Sequence, residues 1–394
     1  MSRPDLQIDD ILLWMAQLWT ACKTETVMFN ITPTTRLRRS PYFEATVREG
    51  VKGFLPYNQM LMPTGYGHPE AEYWRLINGV AVWDVAVERQ VEITGPDAGK
   101  LAQILSPRDL SNCVENQGKY VALCNHNGTI INDPILLKLS EDRFWFSIAD
   151  SNILFWARAI AAERRFNVDV FEPDVSPLAV QGPKAEAVVA NMFGDWIRDL
   201  KYFWFREAEI DGIPMMVARS GWSKQGGFEL YLMDRSKGGE LWDIVKEAGK
   251  SYGIGPGNPN MCERIESGLL SWGSDTDDKT NPFEIGLGKF VDLNIDDDVI
   301  GIANLRKFKA EGIKRHQLGL VLEGDEPMPF HSVWYDILLN GTKVGSMTNG
   351  VWSYRLKRNI GYALISSQIK VGQKVEVCKD GQLIEGSLRK LPFC

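Results

Sequence analysis

Histidine and cysteine most often bind metals, attack carbonyl groups or carry electrons, and in this chain neither is arranged to do so. His68, His126, His316 and His331 show no HxxxH or HxH spacing, and Cys22, Cys113, Cys124, Cys262, Cys378 and Cys394 contain no CxxC pair. That pattern argues against a zinc centre and a disulfide framework, and fits thiols kept in a reducing compartment. The phosphate-cradling GxxxxGKS/T loop, the GxSxG nucleophile turn and the HExxH helix are absent. Gly253-Ile254-Gly255-Pro256-Gly257 is rich in glycine, but no βαβ unit surrounds it and proline interrupts it, so it reads as a tight turn. No metal or redox cofactor is implied.

Whatever chemistry the chain performs must be positioned by an α+β scaffold. Its 394 residues carry 44 Lys+Arg against 51 Asp+Glu, a formal charge of −7, with 44% hydrophobic residues. This balance suits two or three buried cores and is wrong for disorder. The one basic cluster is Arg36-Leu37-Arg38-Arg39, so nucleic acid and anionic membrane are poor partners. The apolar stretch Ile11–Trp19 falls far short of the ~20 residues that span a bilayer. Met28 opens a run that reads as the start of a domain, so residues 1–30 are expected to be an N-terminal extension of which the first 27 are dispensable. Short β-like runs recur at Arg89–Ile93, Tyr120–Cys124, Ile131–Leu139 and Arg143–Ile148, with Asn127-Gly128 as a hairpin turn. Helical patterns at Ser151–Ile160 and Gly238–Val245 alternate with them. From about Arg315 the chain is nearly all strands and turns, with a second Asn-Gly hairpin at Asn340-Gly341. The expected layout is a two-lobed catalytic region over 31–306 and a C-terminal β-barrel over 313–394, with Lys307 to Gly312 as the boundary.

Three stretches carry more information. Val180-Gln181-Gly182-Pro183, the loop Ser220-Gly221-Trp222-Ser223-Lys224-Gln225-Gly226-Gly227-Phe228-Glu229, and Arg264-Ile265-Glu266-Ser267-Gly268 follow in that order. Trp83-Asp84-Val85 precedes them and Asn127–Asp133 lies between. In this order they resemble the tetrahydrofolate-dependent aminomethyltransferases, the glycine cleavage T-protein family, from about Tyr57 to the C-terminus. The resemblance implies an α+β, three-lobed fold of mostly antiparallel sheets around a central folate channel, with the C-terminal β-barrel closing one side. Within the family, Trp83–Ile93, the Ser220–Gly227 loop, Glu263–Ser267, Tyr57-Asn58 leading to Met60-Leu61, and Asn281–Glu284 look like a branch that demethylates dimethylsulfoniopropionate. That implies moving one methyl group from the sulfonium to tetrahydrofolate, the accepting cosubstrate, with 5-methyltetrahydrofolate and 3-(methylthio)propionate as products. Aminomethyl transfer and demethylation of another sulfonium or ammonium compound are the alternatives within the family. A folate-binding protein without transfer is the alternative outside it, but the KGCYxGQE-like motif of that branch is not found.

The resemblance also nominates residues. The T-protein pattern has an acid at the first position after Gly-Gly-Ile-Ile; here that position is Asn132 and the acid comes second, as Asp133. Aminomethyl transfer needs proton handling near the folate nitrogen, whereas a sulfonium leaves as a neutral thioether and asks for no general acid, so the exchange suits methyl transfer. Shaping a turn is the other reading of this pair. Asp133, Asn132 and Trp222 form the expected catalytic set. Tyr57, Met60, Trp204, Trp222 and Lys224 are expected to bind the donor. Aromatic faces attract a cation by roughly 0.5–2 kcal/mol, Met60 is a polarizable filler, and Lys224 could meet the donor's carboxylate. Core packing for Trp204 and a solvated side chain for Lys224 stay open. For folate, Glu229 matches the family's carboxylate, which can accept two hydrogen bonds from the pterin. Arg264 and Glu266 match the family's Arg-x-Glu, either touching ligand or forming a buried ion pair behind it. Asp84 and Glu88 lie where the first folate-facing strand begins, in contact with ligand or at a plain strand edge. The expected partners are a small methyl donor and tetrahydrofolate, with no nucleic acid and no membrane, for a cytoplasmic protein read as a homodimer.

Overall fold

Runs rich in Val, Ile, Phe and Trp build two large, mainly antiparallel sheets before residue 260, and a closed barrel follows. The computed structural model describes residues 34–329, 331 and 333–394, so the expected extension over residues 1–30 lies outside the described residues. The first sheet has six strands in the order Phe205–Ile210, Ile213–Ala218, Gly227–Leu232, Ser176–Gln181, Ala81–Asp84, Gly255–Gly257. Val82, Leu178, Val180, Val217 and Leu230 from its central strands pack with Trp242 of the helix Gly238–Ala248. Each such side chain, fully buried, stabilises the fold by about 1.5–3 kcal/mol. The last strand is parallel to Ala81–Trp83, where a tight turn was expected. A Cβ on Gly257 would lie 2.8 Å from the Trp83 indole nitrogen, so only glycine lets this edge strand approach.

The second sheet has five antiparallel strands, ordered Asp169–Phe171, Gln90–Thr94, Arg143–Ser147, Ile135–Ser140, Gln117–Tyr120. The helices Ala98–Leu105 and Ile153–Arg164 cover it through Leu101, Leu105 and Ala157, packed on Val91, Ile93, Phe144 and Phe146. The Asn127-Gly128 turn joins Leu123–Cys124 to Ile130–Asn132 as expected, but Ile131–Leu139 is not one strand. Pro134 offers no N–H to a ladder, so pairing stops at Asn132 and resumes at Ile135 on a different partner, Gln117–Tyr120. Asp133 is thereby left between two strands.

The C-terminal strands Arg315–Leu322, Tyr335–Leu339, Thr342–Ser353, Arg358–Ser366, Lys374–Lys379 and Gln382–Arg389 close into a barrel. Asn340 and Gly341, at φ 51° and 75°, form the expected two-residue hairpin turn. Lys307 to Gly312, expected as the boundary, holds the last turns of the helix Ile302–Glu311 and its cap Gly312, with φ 84°, just before the first barrel strand.

Residues 38–394 form one compact unit, and two buried acids tie the barrel into it. Asp275 accepts from Arg264 at 2.6 Å, from the Ser271 N–H at 2.8 Å and from the Asn349 amide of the barrel at 2.6 Å. Glu266 accepts from Tyr73 at 2.7 Å and from Ser353 of the barrel at 2.5 Å. Arg264 and Asp275 are both fully buried, and removing one partner of such a pair leaves an uncompensated charge. Asp275→Ala is therefore expected to cost about 3–5 kcal/mol of unfolding free energy in urea titrations. The double change Arg264→Met with Asp275→Leu should recover most of that loss; a further loss in the double variant would contradict the assignment.

Candidate active site

The Ser220–Glu229 motif folds as it does because of one glutamine. Gln181 donates to the Ser220 carbonyl at 3.1 Å and accepts from the Ser223 hydroxyl at 2.8 Å, so the loop wraps around its amide. Gly221 and Gly227 sit at φ 143° and 156°, and a Cβ on either would lie 2.0 or 2.4 Å from the Gln181 amide nitrogen. Glycine is required at both positions by this close approach. The loop delivers the chain into the strand Gly227–Leu232, where Glu229 lies between Ala179 and Ala218 of the neighbouring strands. Those small neighbours leave its buried carboxylate uncrowded. Glu229 accepts from the Ser220 hydroxyl and, at 3.1 Å, from the Tyr231 hydroxyl two residues along the same strand face.

Two further acids belong to this region, and Glu88 feels the charges of both Glu229 and Asp133. Glu88 follows the strand Ala81–Asp84, and Asp133 occupies the strand break made by Pro134. Burial pushes the Glu88 carboxyl well up, and the charges of Glu229 and Asp133 push it further. Burial also raises Asp133, to about 7, against a 2.7 Å hydrogen bond from the Tyr120 hydroxyl, with the charge of Asp275 adding to the rise. Glu229 is raised by burial and held back by its bonds from Ser220 and Tyr231. Tyr57 completes the group: burial raises its hydroxyl, and Glu88, Asp133 and Asp150 raise it more. Glu88, Asp133 and Tyr57 are enclosed by protein yet keep accessible surface, as groups lining an internal cavity do.

None of the charges that shift Glu88, Asp133 or Glu229 belongs to a lysine or arginine among the described residues. Burial opposes the ionisation of all three, and that of Glu88 is opposed by the other two as well. Of these acids Asp133 titrates at about pH 7, and carboxyl groups placed so can accept hydrogen bonds from N–H groups and, when ionised, attract a cation.

The other nominated residues fall outside this group. Asn132 is buried with its amide fully used: it donates to the Ala149 carbonyl at 2.9 Å and the Ser151 hydroxyl at 2.8 Å, and accepts from the Ala149 N–H at 3.0 Å. Its hydrogen bonds fix a loop, so the proton-handling argument made from Asn132 rests on Asp133 alone. Asp84 accepts from Ser40 at 2.5 Å and from the Ala86 N–H; burial raises it to about 6, and it acts on Tyr42 and Tyr66. Arg264 and Glu266 are spent on the barrel seam, and the ion pair left open for Arg264 is made with Asp275. Met60 is core. Trp204 bridges to Gln117 of the second sheet, with Lys201 over its ring at 5.7 Å. Lys224 is exposed and uses its backbone N–H, which donates to Glu263 at 2.9 Å. Trp222 donates to the Leu270 carbonyl at 3.1 Å, and the Arg264 guanidinium lies 5.8 Å from its ring centre. Sequence reasoning missed Tyr120, Ser220 and Tyr231. Period-two alternation from Glu229 would have found Tyr231, whereas nothing local marks Tyr120.

With this geometry in hand, comparisons with known proteins are informative. The family model described as the GCVT N-terminal domain matches residues 42–295, and that of the glycine cleavage T-protein C-terminal barrel domain matches residues 315–394. The chain is 41% identical over 338 residues to the dimethylsulfoniopropionate demethylase of Ruegeria pomeroyi, covering 86% of this chain and 92% of that one. It is 30% identical over 366 residues to the aminomethyltransferase of Thermotoga maritima, covering 91% and 98%. Among solved structures, the glycine cleavage system aminomethyltransferase T of Bartonella henselae superposes with a TM-score of 0.78 at 22% identity, over 91% of this chain and 98% of that one. The mixed helices and sheets with a C-terminal closed barrel are the fold expected from the residues.

The raised Asp133 has a consequence for stability. In the folded protein it keeps its proton up to about pH 7, whereas an unfolded aspartate loses it near pH 3.9. Folding therefore binds a proton between those values, and the stability it brings, complete below about pH 4, is lost as pH rises toward 7. Asn at position 133 can still accept from Tyr120 and has no charge to bury. Asp133→Asn is expected to raise the melting temperature, by more at pH 8 than at pH 5. Thermal melts at the two pH values check this, and an equal shift at both contradicts it.

Proposed function

We propose that this chain, which belongs to the glycine cleavage T-protein family, is a tetrahydrofolate-dependent demethylase. It moves one methyl group from dimethylsulfoniopropionate to tetrahydrofolate, giving 5-methyltetrahydrofolate and 3-(methylthio)propionate. The resemblance to the Ruegeria demethylase supports the choice of donor. The observation that carries the chemistry is the group of buried acids, in which burial raises Glu88, Asp133 and Glu229 and the charges of Asp133 and Glu229 raise Glu88 further, with no basic group among the charges acting on them in the described residues.

The residues fit the cosubstrate. The Glu88 carboxylate is bonded to no side chain among the described residues, and Glu229 is a buried acceptor on a rigid strand. Glu229, with Glu88 and Asp133, would hold the N–H groups of the pterin. When bound, tetrahydrofolate supplies the N5 lone pair that takes the methyl group. The protein's own task is mainly alignment, because the donor leaves as a neutral thioether and needs no acid. Methyl transfer to a secondary amine releases one proton. Asp133, near pH 7 and with one oxygen held by Tyr120, is suited to take it. For the sulfonium, Tyr57 is the stronger aromatic candidate, since its neighbours are carboxylates. Trp222 already has a guanidinium beside its ring, which weakens its appeal to a second cation. Among the described residues no helix is long and apolar enough to cross a membrane; a cytoplasmic location and a homodimer are part of the proposal.

Anaerobic incubation of the purified protein with tetrahydrofolate and dimethylsulfoniopropionate, with folates and thioethers identified by mass, tests the reading. Both named products are expected; methylene-folate from an aminomethyl donor, with no reaction of the sulfonium, would overturn it. Glu229→Gln should weaken tetrahydrofolate binding by about 10- to 100-fold, the equivalent of about 1.5–3 kcal/mol for a hydrogen bond to a charged group. Binding a cation favours the ionised carboxylates, so donor binding near pH 7 should expel protons into solution. Calorimetry in phosphate and in Tris buffer should then give different heats, and equal heats would contradict the linkage.

A further inference from the structure

The cavity group is assembled from separate segments, and the Asn58 side chain together with the Ala149 carbonyl joins those of Tyr57, Glu88 and Asp133. Tyr57 ends the first strand of the hairpin Phe54–Tyr57 and Met60–Pro63, whose turn residues Asn58 and Gln59 have φ 47° and 61°. A two-stranded hairpin is marginal by itself, so its placement has to come from contacts elsewhere. The Asn58 side chain, 5% exposed, supplies those that reach the other cavity segments. Its amide donates to the Val87 carbonyl at 3.0 Å, one residue before Glu88, and to the Ala149 carbonyl at 3.1 Å. Its backbone N–H donates to the Asp150 carboxylate at 2.7 Å. From the other side, Asn132, one residue before Asp133, donates to the same Ala149 carbonyl at 2.9 Å, and Ser151 donates back to the Ile131 carbonyl at 2.9 Å.

We propose that the amides of Asn58 and Asn132, meeting on the Ala149 carbonyl, form a clamp that sets the spacing of Tyr57, Glu88 and Asp133 across the cavity, so that Asn58, Asn132 and Asp150 are positioning residues for methyl transfer. Asn58, Val87 and Asn132 each lie one residue from a cavity group, so displacing Asn58 or the 149–151 loop disturbs the spacing of all three. The Ala149 carbonyl also accepts from the Ser151 N–H at 2.8 Å, so its acceptor capacity is fully engaged by the two amides and its own loop. The clamp also accounts for an amide at position 132: a carboxylate there could not donate to the Ala149 carbonyl. Asp133 faces Tyr120, Tyr57, Glu88 and Asp275, and Tyr57 also faces Asp150, so the spacing the clamp holds is what sets how these groups share protons.

This inference rests on the proposed demethylation for its kinetic test but not for its binding test. Wild-type full-length protein, Asn58→Gly, Asn58→Asp and Gln59→Gly are compared for kcat and donor KM, and tetrahydrofolate affinity is followed calorimetrically from about pH 5 to pH 9. Glycine and aspartate both tolerate the left-handed turn but lack the amide. Both Asn58 variants should lose on the order of 100-fold in kcat, the cost of a misplacement of about 1 Å, with little change in donor KM. The pH midpoint of tetrahydrofolate binding should move down, as a loosened cavity admits water and the carboxyls return toward their ordinary range. Gln59→Gly, which changes the same turn outside the clamp, should behave as wild type. An unchanged kcat in both Asn58 variants overturns the clamp, and so does a fallen melting temperature with an unmoved pH midpoint. If the glycine variant fails to fold, Asn58→Asp, of equal size, carries the test. A wild type that transfers no methyl group from dimethylsulfoniopropionate, while the midpoint still moves in the variants, would overturn the donor assignment and leave the clamp standing.

Discussion

Three carboxylates that would rather be apart share one enclosed cavity, and much of the surrounding structure can be understood as what keeps them there. Burial opposes ionisation of Glu88, Asp133 and Glu229, and the charges of the other two oppose that of Glu88 further. The donors around them are few and placed on single oxygens. Tyr120 bonds one oxygen of Asp133, and Ser220 and Tyr231 meet on one oxygen of Glu229. Acceptor capacity is thus left facing the cavity, which a buried guanidinium partner would have consumed. A site of this kind costs stability, and the apolar cores under both sheets offset that cost.

The barrel belongs to the same arrangement. Asp275 neutralises Arg264, fastens the barrel strand carrying Asn349, and sends its remaining field onto Asp133. Arg264 in turn backs Trp222 and Tyr362. One buried ion pair therefore joins the docking of the barrel, the bracing of the Trp222 loop and the proton affinity of a cavity acid. The Arg-x-Glu motif recognised in the sequence acts through this seam, with Arg264 paired to Asp275 and Glu266 bonded to Tyr73 and Ser353.

Some of this was legible in the sequence because it is local. The Asn-Gly turns, the alternating strands, the all-β C-terminal segment and the glycines of the Ser220–Glu229 loop follow from backbone conformation and short-range periodicity. The break at Pro134 and the edge strand at Gly255–Gly257 were misread, although both have covalent causes: a missing N–H in one case and a missing Cβ in the other. The matched motifs also nominated Tyr57, Glu88, Asp133 and Glu229, the residues that come together in the cavity.

What separates these four from the other nominated residues is distance in space. Asn132 and Asp133 are neighbours in sequence, yet one is spent on a loop and the other lines the cavity, because successive residues at a strand end point opposite ways. The sequence by itself determined the residue types, the turns and the order of strands, since these depend on each residue and its near neighbours. Only the tertiary structure decided which acids would share a cavity, which would be neutralised at the seam, and which amides would meet on Ala149. Electrostatic and hydrogen-bond energies depend on separations of a few ångströms between groups that lie tens to hundreds of residues apart in the chain.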